Sequence, residues 1–80
     1  MTRQLAIIKN PRYGYTDGRV YLYFETYIDQ CEAASQYLEV DAATKLLMEY
    51  QVSDVRYLDG RACWVEVGER TIVYSGPCLI

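Results

Sequence analysis

The side chains able to do chemistry in this chain are nine tyrosines, one tryptophan, three cysteines and eleven carboxylates, with no histidine. Lacking histidine removes the commonest general base and the commonest zinc ligand together. Ser35, Ser53 and Ser75 have no base to activate them, no glycine-rich phosphate loop is present, and Glu66 and Glu69 flank an ordinary turn. Cys31, Cys63 and Cys78 are odd in number and widely spaced, without a Cys-x-x-Cys pair, so they form neither a zinc set nor an even disulfide framework. A Cys63–Cys78 bridge is compatible with the topology, although Cys63 reads as a small core residue of a strand. The sequence thus predicts no catalysis, no metal and no cofactor. Recognition is the chemistry that remains.

The tyrosines carry it. Between residues 19 and 28 the even positions are Val20, Leu22, Phe24, Thr26 and Ile28, and the odd ones Arg19, Tyr21, Tyr23, Glu25 and Tyr27. Strand side chains alternate between faces, so this segment reads as a core face backed by a tyrosine ladder. Tyr13 and Tyr15 lie just upstream. Tyrosine is enriched at interface hot spots, although outward aromatics also pair across strands for stability alone.

The elements that must position this ladder can be read along the chain. Leu5 to Ile8 is a strand-like apolar run; Asn10-Pro11 and Thr16-Asp17-Gly18 are turn chemistry, so residues 9–19 read as a long loop or irregular hairpin. Residues 29–40 admit two readings. One is a helix begun by a capping box over Asp29, Gln30, Cys31 and Glu32; the other is a return strand through Ala34, Gln36 and Leu38. Asp41 reads as the cap of a helix that places Ala43, Leu46, Leu47 and Tyr50 on one face. Val55 and Leu58 share a single helical turn closed by Gly60. Ala62 to Val67 turns at Gly68-Glu69-Arg70 into Thr71 to Ser75, with Val67 opposite Ile72 and Val65 opposite Tyr74. The fold predicted over residues 1–80 is a single small α+β domain: an antiparallel sheet of four to five strands with one main helix packed on one face. Its other face stays open, carrying the tyrosine ladder and Trp64. So short a chain buries only about 60% of its unfolded surface, and free sheet edges invite pairing, so a homodimer is expected.

Charge is segregated. Residues 1–19 balance at +3 and residues 25–54 at −6, within a net charge of −3. An acidic surface steers a protein toward basic partners and away from nucleic acid. Residues 32–52 superficially resemble a helix-turn-helix, but the would-be recognition helix offers Thr44 and Lys45 against Asp41 and Glu49. The longest apolar run is far too short to span a membrane, and the N-terminal one too short for a signal peptide, so a cytoplasmic setting is expected.

The run Gln51 to Val65 carries a valine closing a helix, Val52, and then Leu58, Gly60, Cys63 and Val65 in a Leu-x-Gly-x-x-Cys-x-Val pattern. With the Tyr37-Leu38 end of the return strand before it, this resembles small uncharacterised phage and prophage accessory proteins over roughly residues 20–75. The chain departs from their glycine-rich pattern at Ala33-Ala34-Ser35-Gln36, and the resemblance still favours the return strand. Proteins of that kind include inhibitors of host defence, anti-CRISPR proteins among them; no functional residue carries over. The resulting expectation is a non-enzymatic inhibitor in the host cytoplasm. It would bind a host protein with a basic nucleic-acid-binding surface, without contacting nucleic acid directly. The expected contact residues are Tyr21, Tyr23, Glu25, Tyr27, Glu32, Glu39, Asp41, Glu49 and Trp64. The alternative is a small DNA-binding regulator using residues 32–52.

Overall fold

A computed structural model describes residues 2–29 and 32–79. Strands β1 (Thr2–Thr16), β2 (Arg19–Tyr27) and β3 (Ala33–Glu39) are followed by helix α1 (Val40–Tyr50). A 3₁₀ turn (Val55–Leu58) and strands β4 (Ala62–Val67) and β5 (Ile72–Pro77) complete the chain. The fold is α+β, as the patterning predicts. The five strands form one sheet in the order β3-β2-β1-β4-β5, antiparallel at every step.

β1 is the hub, and of the two readings of residues 9–19 it supports the irregular hairpin and not the long loop. Its first half pairs with β4 from Thr2↔Val67 to Ile7↔Ala62, and its second half with β2 from Ile7↔Tyr27 to Thr16↔Arg19. The register steps from Lys9↔Glu25 to Arg12↔Tyr23, so one extra residue bulges out at Asn10-Pro11. Asn10 takes the left-handed conformation at φ 56°, and its amide donates to Asp59 Oδ1 at 3.0 Å. A bulge accepts the proline that a regular ladder would reject, so a breaker signal sits inside a strand. Asp17 (φ 52°) and Gly18 (φ 79°) then make a two-residue turn of the type that Asp-Gly favours.

The strand reading of the 29–40 region holds over Ala33–Glu39, in register with β2 from Tyr21↔Glu39 to Tyr27↔Ala33. Gln30 and Cys31 of the alternative capping box lie outside the described residues. A helix-turn-helix over 32–52 needs two helices, and the chain forms a strand and one helix there. α1 begins two residues earlier than expected. Its N-cap is Glu39, with no side-chain capping bond, and Asp41 lies in the first turn, where its charge complements the helix dipole. The 3₁₀ turn is capped by the Asp54 carboxylate, which accepts from the Arg56 amide at 3.0 Å, and Gly60 follows at φ 84°. The β4–β5 pairs Val67↔Ile72 and Val65↔Tyr74 are those read from the sequence.

The core lies on the inner side of the sheet. Ile8, Leu22, Phe24, Leu58, Cys63 and Val65 are fully buried, and α1 lays Ala43, Leu46 and Tyr50 over them. Cys63 and Cys78 are free thiols, so no bridge joins them.

The sheet curls until its two edges meet. β3 and β5 both run antiparallel to a neighbour of β1, hence parallel to each other, and no backbone ladder joins them. Gln36, 8% exposed, bridges the seam instead: its Nε2 donates to the Ile72 carbonyl at 2.8 Å and its Oε1 accepts from the Tyr74 amide at 3.2 Å. Those two backbone groups flank Val73, as a parallel ladder requires, so one side-chain amide stands in for a peptide group. The edges expected to be free for self-pairing therefore face each other.

Candidate partner-binding face

On the outer side of the sheet, strand parity brings Tyr21 and Tyr23 of β2 beside Tyr37 of β3, whose register partner is Tyr23. The rings touch. Tyr21 and Tyr37 meet edge-to-face with centroids 5.6 Å apart, and Tyr23 lies 6.1 Å from Tyr21 and 6.4 Å from Tyr37. Contacts of this geometry contribute about 0.5–1.5 kcal/mol per pair beyond the area buried. With no gap between the rings, the trio is a platform to be covered and not a cage to be filled.

Tyr23 is fixed most firmly. Its ring lies across β1 over Gly14, where an added Cβ would stand 2.5 Å from the ring. Its hydroxyl shares a 2.6 Å hydrogen bond with Thr16 Oγ1, and the Arg12 guanidinium sits 6.0 Å from the ring centroid. Glycine is needed at residue 14 because a side chain there would occupy the ring's place.

Arg12 is itself tied down, donating to Glu25 Oε2 at 2.6 Å and to the Asn10 carbonyl at 2.8 Å. On the other border Arg19 and Glu39 approach to 3.5 Å with both side chains about 70% exposed, a pairing worth little in water. The rings are thus rimmed by two ion pairs.

The expected site residues divide among five places. Tyr21, Tyr23, Glu25 and Glu39 come together on the platform, and Asp41 joins its border, sharing with Tyr21 and Glu39 a shallow cleft of about 310 Å³. Tyr27 keeps the same face but sits at the far end of β2, where with Ile7, Pro11 and Ile28 it walls an open cleft of about 960 Å³. Trp64 stands across β1 on β4, its ring 4.7 Å beneath the Arg3 guanidinium, with half-exposed Leu5 as its register partner. Glu32 lies before β3, where its carbonyl accepts from the Ile28 amide, and Glu49 is half-buried on the helix side, away from the platform. The acidic segment is therefore not one patch. Tyr37, Arg12, Gly14 and Thr16 belong to the site and are absent from the sequence-derived set. Tyr37 had a readable signal, since a strand with Ala34, Gln36 and Leu38 inward must turn Tyr37 outward.

The perturbed acids lie elsewhere. Burial pushes the Tyr50 hydroxyl and the Cys63 thiol up to about 12 and the Tyr74 hydroxyl well above its usual range, all three on the core side. Among the described residues no three His, Cys, Asp or Glu side chains gather as a metal set, and no helix is long and apolar enough to cross a membrane. Compared with known protein families, curated proteins and solved structures, the chain matches none.

Proposed function

We propose that the protein is a non-enzymatic binding module that grips a protein partner with the Tyr21–Tyr23–Tyr37 platform. The supporting observation is that these rings are held in place by Gly14, Thr16 and one another without contributing to the core. A preorganised aromatic surface orders little on binding and so retains most of its contact energy. In its specific form the partner is a host defence complex with a basic nucleic-acid-binding groove, and the protein acts as its inhibitor. Glu39 and Asp41 at the platform border would face that basic rim.

One observation favours a second reading. A five-stranded curled sheet with β1 between β2 and β4, edges β3 and β5 apposed and a helix between β3 and β4 is wound like the partly open Greek-key barrels. Their second and third strands can bind oligonucleotides. That analogy concerns fold alone. Stacked bases also need free cations along the backbone path, and here Arg12 is held by Glu25 at 2.6 Å while the carboxylates Glu39 and Asp41 stand beside Arg19.

The test is affinity capture from host lysate with wild-type protein and with Tyr37→Ala, read by mass spectrometry, alongside mobility shift of single-stranded and duplex DNA at low salt. The expected result is a protein set lost with Tyr37→Ala and no shift. Tight shifting at low micromolar protein overturns the protein-partner reading.

A further inference from the structure

We infer that the cleft where β2, β3 and the start of α1 meet receives an arginine side chain of the partner protein. The inference rests on the protein-binding reading and names the group that the border of the platform grips.

Ile28 donates its amide to the Glu32 carbonyl, so the hydrogen-bonded pairs of β2 and β3 fall on the even residues of β2, and Tyr21↔Glu39 is a non-bonded pair. Side chains of such pairs stand closest together, and both of these belong to the outer face. β3 passes into α1 without a connecting loop, so Asp41 follows closely on Glu39. Glu39 holds the N-cap position yet its carboxylate makes no capping bond, and Asp41 enters no ion pair among the described residues. Two carboxylates thus border the cleft of about 310 Å³ against one cation, Arg19. Tyr21, Val20 and Val40 line the rest of it, and the two valines are 43% and 48% exposed.

An aliphatic stem that ends in a cation suits such a lining. Arginine suits it better than lysine, because a guanidinium is planar, weakly hydrated, stacks on an aromatic ring and has donors enough for two carboxylates. The chain supplies its own precedent. Arg19 Nη1 lies 3.5 Å from Glu39 Oε1, longer than a charge-assisted hydrogen bond, with both side chains about 70% exposed. Arg19 is therefore a loose occupant that a guanidinium from outside can displace. The positive end of α1 opposes a cation here, but the full charges of Glu39 and Asp41 outweigh its partial one. The balance at the cleft is negative, in keeping with a basic surface on the partner.

The blocked tripeptide acetyl-Gly-Arg-Gly-amide and its lysine and norleucine counterparts, titrated into the isotope-labelled full chain and followed by NMR, test the cleft without the partner. The arginine peptide is expected to shift the amides of residues 19–21 and 39–41 and to bind about threefold tighter than the lysine one, with the norleucine peptide inert. Arg19→Ala, which vacates Glu39, should tighten binding by up to about fivefold. The double variant Glu39→Gln, Asp41→Asn should abolish it at a little-changed melting temperature. Equal binding of the lysine peptide, weaker binding by Arg19→Ala, or shifts confined to other residues each overturn the arginine site. Shifts of the same amides on raising protein concentration alone would seat an arginine of a second copy there and overturn the partner protein as its source. In capture from host lysate, the double variant is expected to lose the proteins that Tyr37→Ala loses. Its retention of them overturns the arginine site and leaves the platform standing, whereas capture indifferent to Tyr37→Ala overturns the platform whatever the peptides do.

Discussion

Tyr23 and Phe24 are neighbours in sequence and opposites in role. Phe24 is 1% exposed and meets the Tyr74 ring edge-on at 5.6 Å, whereas Tyr23 lies on the outer face. Phe24→Ala is expected to cost roughly 3–5 kcal/mol as a core truncation. Tyr23→Ala should cost about 1 kcal/mol from lost cross-strand contact. Urea midpoints of the two variants compare them directly, and equal losses would mean that the tyrosine face is part of the core. Gly14→Ala addresses the same ring from beneath. It should leave the midpoint nearly unchanged while displacing Tyr23, seen as a shift of its ring resonances and loss of partner binding. The parity of residues 19–28 made the Phe24–Tyr23 contrast legible from sequence. Arg12 was not legible, because its place beside Tyr23 depends on the extra residue at Asn10-Pro11, which local patterning reads as a break.

Among the elements, β2, β4, β5 and α1 announced themselves through unbroken periodicity. β1 did not, because Asn10, Pro11 and Gly14 each imitate the end of a strand while serving it. Docking of α1 shows a further long-range device. At its last residue the Tyr50 hydroxyl donates to the Ala62 carbonyl at 2.6 Å and accepts from the Cys78 amide at 3.3 Å, binding the helix end to β4 and to the chain after β5. Helical spacing marks Tyr50 as a core residue but says nothing of what its oxygen touches. Tyr50→Phe keeps the ring and strands both backbone groups, so a loss of about 1–3 kcal/mol is expected in denaturant unfolding. An unchanged midpoint would mean that water replaces the hydroxyl without cost.

For the molecule as a whole, the buried acids set the response to alkali. Desolvation carries Cys63 from 9.0 and Tyr50 from 10.0 up to about 12 in the folded chain, and Tyr74 is raised further in the same sense. Above pH 9 the unfolded chain has begun to release these protons while the folded chain still holds them. The unfolded state then binds fewer protons, so stability falls as pH rises. Full stability is expected below pH 9, with a progressive loss between about 9 and 12 and its steepest part above 10. Thermal melts across that range measure it, and a melting temperature flat to pH 11 would place all three groups in contact with water. The α+β class and the open outer face were legible in the sequence, because both follow from alternation within single strands. Closure of the sheet was not, because it depends on the distant pairing of Gln36 with Ile72 and Tyr74, to which no local pattern points.

That closure has a consequence for the order of events in folding. β1 must already hold β2 and β3 on one flank and β4 and β5 on the other before Gln36 can reach across to Ile72 and Tyr74. The seam is thus expected to form after the barrier, and interactions absent from the transition state govern escape from the native state more than arrival at it. Gln36→Leu should therefore steepen the rise to unfolding, raising its rate in proportion to the stability lost, while the refolding limb of the chevron stays in place. An equal slowing of refolding would show that the two edges find each other early. On that expectation the time the curled sheet spends with its edges together is set largely by one amide side chain, which acts as its latch.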